Sequence, residues 1–114
     1  MTEKTLFQKI ADREIPSEIV FEDDLCLAFR DINPQAPTHV LIVPKKPIPS
    51  VDDVTEDDEP TIGHLFSAAR QVAASEGLSS GYRLVVNCGE DGQQTVLHLH
   101  VHLLGGRQMQ WPPG

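Results

Sequence analysis

The sequence has few cysteines and few positive charges. Its two cysteines, Cys26 and Cys88, are far apart and form no Cys-x-x-Cys pair, which argues against a disulfide framework and predicts two reduced thiols. Nine Lys and Arg residues stand against seventeen Asp and Glu residues, so the formal net charge is -8. Such a field repels polyanions, and we therefore expect no nucleic acid partner and only a small phosphate ligand.

Long hydrophobic runs are also missing. The first ten residues lack the basic region and apolar stretch of a secretory signal, and no later run approaches membrane-spanning length. We therefore expect no membrane association and a cytoplasmic location. The length suits one domain over residues 1–114, and no internal repeat divides it.

The first half of the chain predicts a short helix followed by a hairpin. The helix begins after the N-cap Thr5, ends before Pro16, and has an apolar face formed by Leu6, Phe7 and Ile10. Residues 18–21 and 25–29 are short apolar runs separated by a polar turn, which predicts two antiparallel strands.

The next segments predict a buried strand and the main helix. Residues 38–43 are β-branched and apolar enough for a central strand. A capping box formed by Thr55 and Asp58 predicts a helix start, and Gly77 predicts its end. The helical periodicity between them is carried by Ile62, Leu65, Phe66, Ala69, Val72 and Ala73.

Two further strands are predicted at residues 82–87 and 95–104, the second being the longest in the chain. The order is then helix, three strands, helix, two strands. Strands grouped between helices and joined by short links predict an α+β fold, in which a five-stranded antiparallel sheet carries two helices on one face.

Three of the five histidines, His98, His100 and His102, occupy alternate positions of the last predicted strand. Because side chains alternate between the faces of a strand, all three are expected on one side. The other side is apolar and consists of Leu97, Leu99, Val101 and Leu103. Burial of three imidazoles in an apolar core costs desolvation free energy, so the pattern favours a functional row over a structural one.

Two chemistries suit such a row. A metal could bind two of its nitrogens, with His39 or an acid as a third ligand, although no cysteine or carboxylate lies within several residues of the row. Alternatively, one imidazole attacks phosphorus while its neighbours bind phosphate or protonate the leaving group. Imidazoles titrate near pH 6.5, so the row is expected to hold mixed protonation states at neutral pH. The donors at Asn87, in the turn 89–92 and at Thr95 favour the second chemistry, because they can converge on an anion.

The segment from Gln94 to Leu104 resembles the His-x-His-x-His-x-x signature of the histidine triad (HIT) family, in which x is apolar. The tail from Gly105 to Gly114 resembles that of the histidine triad nucleotide-binding branch, the adenosine phosphoramidases. The similarity continues in four earlier segments, at residues 15–16, 21–24, 29–32 and 36–39.

This resemblance implies a purine nucleoside phosphoramidase. Such an enzyme hydrolyses adenosine 5'-phosphoramidates, including AMP-lysine, to AMP through a covalent nucleotidyl-histidine intermediate. It also implies a homodimer in which two five-stranded sheets join. Neither a metal nor a cofactor is expected.

The same resemblance assigns roles to the histidines. His100 matches the nucleophile, and His102 matches the partner near the phosphate and leaving group, where a charged imidazole would help an amine to leave. His98 and His39 match residues that orient and support the row.

The resemblance also implies a set of substrate contacts. Asp31 matches the carboxylate that holds the ribose hydroxyls, and Trp111 matches a tail residue near the active site across the dimer. The apolar pocket around the purine corresponds to Phe7, Ile10, Phe29 and Ile32. Contacts to phosphate or leaving group correspond to Asn87, Gln94 and Thr95.

Two positions depart from the family pattern. Gln93 stands where glycine is common, and Leu97 replaces an aromatic residue. A side chain at position 93 is expected to affect a left-handed turn or backbone approach to the ligand. The isolated His64 receives no role. Hydrolysis of diadenosine polyphosphates, and a regulatory module that binds nucleotide with slow hydrolysis, remain as alternative functions.

Overall fold

The computed structural model describes residues 3–114. Two helices and five strands follow in the predicted order: α1 (Leu6–Ala11), β1 (Ile19–Glu22), β2 (Cys26–Arg30), β3 (Thr38–Pro44), α2 (Glu59–Ser75), β4 (Tyr82–Val85) and β5 (Val101–Gly105). Two 3-10 turns, Val51–Asp53 and Glu56–Asp58, precede α2.

The predicted five-stranded antiparallel sheet is confirmed. Its strand order is β1-β2-β3-β5-β4, and every neighbouring pair is antiparallel. β5, which contains His102, the last histidine of the row, therefore lies inside the sheet, between β3 and β4. Since His39 pairs with Leu104 and Leu41 pairs with His102, the two histidines are diagonal neighbours on one face.

The two helices lie on opposite faces, where the sequence predicted them on one. α2 packs on the face that presents Ala28, Ile42 and Leu103, whereas α1 packs on the face that presents Phe29 and Leu41. Strands β2 and β3 are apolar at almost every position, so both faces of the sheet must be buried by other elements. Their unbroken apolar runs are the sequence signal of this arrangement.

The last strand is shorter than predicted. It begins at Val101 instead of residue 95, and β3 is the longest strand. The segment before it is held by other bonds: the N–H of Leu99 donates to the carbonyl of Ile48 over 2.7 Å. The alternation of side chains nevertheless holds from residue 98 onward, since Leu99 is buried on the α2 face.

The predicted helix starts are confirmed. Thr5 caps α1 in a capping box with Gln8. Asp58 accepts hydrogen bonds from the backbone N–H and the hydroxyl of Thr55 at the 3-10 turn that leads into α2. α2 stops before Gly77, which has a φ of 74°. Within residues 3–114, neither helix is long and apolar enough to cross a membrane.

Candidate active site

A cavity of about 260 Å³ opens on the α1 face of the sheet, between α1, the end of β2 and the histidine segment. Eight of the predicted site residues line it: Phe7, Ile10, Phe29, Asp31, Ile32, Thr95, His100 and His102. A larger hollow of about 500 Å³ lies between the loop after α2 and the C-terminal tail, but none of the histidines lines it. His100 and His102 therefore belong to the smaller cavity.

Hydrogen bonds assign the tautomer of His100. Its Nδ1 lies 2.7 Å from the carbonyl oxygen of His98, and a carbonyl can only accept, so Nδ1 carries the proton. In the neutral ring, Nε2 then holds an unshared electron pair. Because His100 lines the cavity, this nitrogen is available to attack a bound electrophile.

The tautomer of His102 follows from His39. The backbone N–H of Gln35 donates to Nδ1 of His39 over 3.0 Å, so the proton of neutral His39 is on Nε2. That Nε2–H donates to Nδ1 of His102 over 2.9 Å. The proton of neutral His102 is consequently on Nε2, where it serves as a hydrogen-bond donor for a ligand in the cavity.

His98 lies behind the cavity and is 1% exposed. Its Nε2–H donates to the carbonyl of Pro44 over 2.8 Å, which leaves Nδ1 to accept from the hydroxyl of Thr5, also over 2.8 Å. The ring is thus fixed between β3 and the start of α1. The orienting role expected for His98 stays a prediction.

Burial lowers the pKa of His98, His100 and His39 below the ordinary value of 6.5. It lowers the pKa of His102 to about 4, helped by the nearby His100 and His39 and partly offset by Asp31. Phe7 contributes to this apolar environment, since its ring and that of His100 pack edge to face with centroids 4.9 Å apart. Without substrate the row is neutral at pH 7, so the predicted mixture of protonation states is wrong for the free protein.

Asp31 lies at the cavity wall beside the histidines. One carboxylate oxygen accepts from the N–H of Asn33 over 2.8 Å, and the other lies 3.5 Å from Nε2 of His39. The carboxylate is therefore shared between a turn and the histidine network. Ile32, next in the chain, is 96% exposed and lies at the rim of the cavity.

Comparison with known proteins places this geometry in a family. A sequence profile described as "HIT domain" matches residues 12–109. The chain belongs to the HIT family. An "Uncharacterized HIT-like protein" of Synechococcus elongatus is 56% identical over the full length of both chains. The "14 kDa zinc-binding protein" of Zea mays is 54% identical over 112 residues, 96% of this chain and 88% of the maize protein.

The fold agrees with solved HIT structures. The crystal structure of a HIT family hydrolase from Legionella pneumophila superimposes with a TM-score of 0.95 and 55% identity, covering 97% of this chain and all of the other. A hydrolase-like HIT fold is thereby shown for this chain, and the predicted resemblance to the HIT family is confirmed.

Two of the residues matched to HIT phosphate contacts do not line the cavity. The side-chain amide of Asn87 donates to the carbonyl of Gly92 over 2.6 Å, and that of Gln94 donates to Pro49 and Val96. Both residues therefore shape the loop that precedes the histidine row. Their direct contact with substrate stays a prediction.

The residue that departs from the HIT pattern in this loop, Gln93, has a φ of 63°. This left-handed conformation is the one that glycine adopts without steric cost, which explains why glycine is common at the position. Gly92 beside it has no room for a side chain, since a Cβ there would lie 2.4 Å from the carbonyl oxygen of Cys88.

The predicted tail residue, Trp111, lies outside the cavity and is 82% exposed. The tail runs beside β4, where the guanidinium of Arg83 donates to the carbonyl of Gln110 over 2.8 Å. Sequence reasoning recognised Thr5 as a helix cap but missed its bond to His98. No local signal could reveal that bond, because 93 positions separate the two residues.

Two groups of side chains in the part of the chain that the structure describes bring metal-ligand atoms within 4.8 Å of one another. The first consists of Asp31, His39 and His102, and belongs to the histidine site. The second consists of Asp23, Cys26 and His64, and lies where the turn after β1 meets α2. The second group was not predicted from the sequence, where His64 received no role and Cys26 was expected only as a reduced thiol.

Proposed function

We propose that this HIT protein is a purine nucleoside phosphoramidase that hydrolyses adenosine 5'-phosphoramidates to AMP. The observation that carries the proposal is the tautomer of His100. Its Nδ1–H is engaged by the His98 carbonyl, so the lone pair of Nε2 is left for the cavity. A neutral imidazole in this state is a ready nucleophile toward phosphorus.

The reaction proceeds in two displacements. Nε2 of His100 forms a bond to the α-phosphorus while the P–N bond of the substrate breaks, and the amine nitrogen takes up a proton. Water then attacks the same phosphorus, the bond to Nε2 breaks, and AMP leaves with a water-derived oxygen. The attacking water releases a proton, which replaces the proton that the amine took up.

His102 is the donor that we assign to the leaving amine. In the free protein its pKa is about 4, so it enters the cycle neutral with a proton on Nε2. A bound phosphoryl anion favours the charged imidazole and raises the pKa of His102 as substrate binds, and the proton gained on Nδ1 then displaces the hydrogen bond from Nε2–H of His39. The charged His102 expected from the sequence thus belongs to the substrate complex.

The walls of the cavity suit a purine nucleoside. Phe7 and Phe29 pack edge to face with centroids 5.4 Å apart and, with Ile10, form an apolar wall for a base. The carboxylate of Asp31 reaches the same cavity and can accept hydrogen bonds from ribose hydroxyls. Thr95 lines the cavity as a hydroxyl donor toward phosphate.

We further propose that the protein acts in the cytoplasm as a homodimer whose two sheets join. The position of β4 at the outer edge of the sheet supports this arrangement, since β4 lies next to the strand that carries His102. The tail that contains Trp111 runs along the same edge, where it can reach a second subunit.

Zinc binding is a second candidate function, because the maize relative is named for it. At the histidine row, a metal would have to break the 2.9 Å hydrogen bond between His39 and His102. It would also occupy Nδ1 of His102, and so remove the hydrogen bond that fixes that ring's tautomer. The row itself therefore favours nucleophilic chemistry over a metal.

The decisive experiment compares AMP release from an adenosine phosphoramidate by the wild-type protein, His100→Ala and the control His64→Ala, without added metal. We expect His100→Ala to lose turnover by about a thousandfold or more while still binding AMP, and His64→Ala to retain it. Ordinary turnover by His100→Ala would refute the assignment of the nucleophile.

The same assay separates the alternative functions. A folded wild-type protein that binds AMP but releases none would be a nucleotide-binding module. Faster cleavage of a diadenosine polyphosphate than of the phosphoramidate would instead make the first compound the class of substrate. We expect neither outcome.

A further inference from the structure

The side chains of Asp23, Cys26 and His64 converge away from the active site. Cys26 faces α2, whereas the cavity lies on the α1 face and near the other end of β2. Asp23 belongs to the turn before β2, and His64 lies in the second turn of α2. None of the three lines the cavity or contributes to the proposed hydrolysis.

The turn holds Asp23 in a fixed orientation. One of its carboxylate oxygens accepts from the N–H groups of Leu25 and Cys26 over 2.9 and 3.0 Å. The other oxygen is thereby directed at Nε2 of His64, which lies 2.5 Å away. The Cys26 thiol completes the group, since its sulfur lies within 4.8 Å of the ligand atoms of both Asp23 and His64.

These three groups match the ligands of zinc. A tetrahedral zinc ion places its nitrogen, oxygen and sulfur ligands about 3.4 to 3.6 Å apart. Here the ligand atoms already lie within 4.8 Å of one another, so side-chain shifts of about 1 Å suffice. A thiolate beside an imidazole also favours zinc over magnesium or calcium.

The surroundings allow a cation to enter. The side chains of Asp23 and His64 are 33% and 29% exposed, although Cys26 beneath them is buried. Asp24 follows Asp23 in the sequence, and the whole protein carries a charge of -8, while Glu22 on the other side is paired with Arg13 and Lys45. Solvent can supply water as the fourth ligand.

We propose that Asp23, Cys26 and His64 form a binding site for zinc. The ion takes the place of the proton shared by Asp23 and His64 and of the thiol proton of Cys26, and it links the β1–β2 turn to α2. The group formed by Asp31, His39 and His102 is the less suitable site, since it offers no thiolate and its His39 side chain is 4% exposed. The proposal is independent of the hydrolytic function.

Cobalt provides the test, because Co²⁺ replaces zinc and gives a sulfur-to-metal charge-transfer band when a thiolate binds it. The full chain, reduced and free of any histidine tag, is stripped with a chelator, dialysed and titrated with Co²⁺. We expect one equivalent to bind with this band and Zn²⁺ to bleach it. Failure of Co²⁺ and Zn²⁺ to bind saturably would overturn the proposal.

Variants locate the bound ion. Cys26→Ser should abolish the band, and His64→Gln, which changes a partly exposed side chain and preserves the core, should weaken binding by more than about tenfold. Cys88→Ser and His102→Gln are the matched controls and should retain the band. Loss of binding in His102→Gln with retention in His64→Gln would place the metal at the histidine row and refute the proposal.

Hydrolysis measured on the same samples keeps the two hypotheses separate. His64→Gln should bind cobalt weakly yet hydrolyse the phosphoramidate at the wild-type rate. A wild-type protein that binds cobalt through Cys26 but releases no AMP would support the zinc site and refute only the phosphoramidase.

Discussion

At the scale of single residues, the partners of each ring nitrogen decide what each histidine can do. The carbonyl of His98 holds a proton on Nδ1 of His100, whereas the Nε2–H of His39 keeps Nδ1 of His102 unprotonated. Chemically identical side chains thus present an unshared electron pair on Nε2 of His100 and an N–H donor on Nε2 of His102, as the proposed mechanism requires. Desolvation keeps both neutral in the free protein, because burial lowers the pKa of each.

Lowered pKa values make folding stability depend on pH. Since the unfolded chain protonates its histidines near pH 6.5 and the folded chain protonates His102 only near 4, the unfolded state binds more protons between these values. Stability is therefore complete above pH 6.5 and falls as the pH decreases. We expect His102 alone to account for about 1 to 2 kcal/mol of the loss by pH 5.

Urea unfolding at pH 7 and pH 5 measures this loss, with His102→Gln as the comparison. The variant should lose less stability than the wild type over this interval, because only the lowered pKa values of His39, His98 and His100 then contribute to the loss. Carboxylates with a lowered pKa, such as Asp23 with a pKa of about 2, reduce the folding stability only below pH 4 to 5. Equal losses in the two proteins would contradict the neutral, buried His102.

The sequence predicted which residues form the site better than it predicted their hydrogen bonds. Alternation placed His98, His100 and His102 on one face, and the structure confirms that geometry from residue 98 onward. Tautomers could not be predicted, because they depend on Pro44, Gln35 and other groups distant in the sequence. The direction of the pKa shifts was missed because its main cause, burial of the imidazoles, depends on tertiary packing.

At the scale of secondary structure elements, the residue that caps α1, Thr5, also bonds to the histidine row. The N–H of Gln8 donates to the hydroxyl of Thr5, and that hydroxyl donates to His98. His98 in turn presents its carbonyl to His100. A helix of six residues therefore needs its N-cap both for its own stability and for the position of the row.

Replacement of Thr5 tests this connection. We expect Thr5→Val to lose about 1 kcal/mol of stability with the cap and to lower kcat for the phosphoramidate, whereas Thr5→Ser should restore both. Urea unfolding and steady-state kinetics supply the two measurements. A Thr5→Val protein that is destabilised yet keeps the wild-type kcat would show that Thr5 acts only as a cap.

Element types could be predicted because their patterns are local. Periodicity and caps predicted both helices, and turn residues predicted the hairpin of β1 and β2. The start of β5 could not be predicted, since residues 95–100 have a strand-like sequence but bond to the loop after β3 through Leu99 and Ile48. The face covered by α1 depends on tertiary packing, although the apolar runs of β2 and β3 pointed to a cover on both sides.

At the scale of the whole molecule, the sheet ends in β4 and in β1, and the tail with Trp111 lies beside the β4 edge. A dimer formed through β4 would bring this tail against the second subunit. Trp111 is the protein's single tryptophan, so its fluorescence reports on that contact alone.

We therefore expect sedimentation velocity to give the mass of a dimer at micromolar concentration, and the emission of Trp111 to shift to shorter wavelength as the dimer forms. In a monomer this residue is 82% exposed and should emit as a tryptophan in water. A monomeric mass at all concentrations, with emission that does not change on dilution, would contradict the proposed homodimer.

The central claim is that Nε2 of His100 forms a bond to phosphorus, and rapid acid-free quenching of the reaction tests it most directly. The protein is mixed with an adenosine phosphoramidate, denatured at alkaline pH, where a phosphorus–nitrogen bond to histidine persists, and analysed by mass spectrometry after digestion. We predict an adenylyl group on His100 in the wild type and none in His100→Ala. An adenylyl group on another residue, or AMP release without any adduct, would contradict the account.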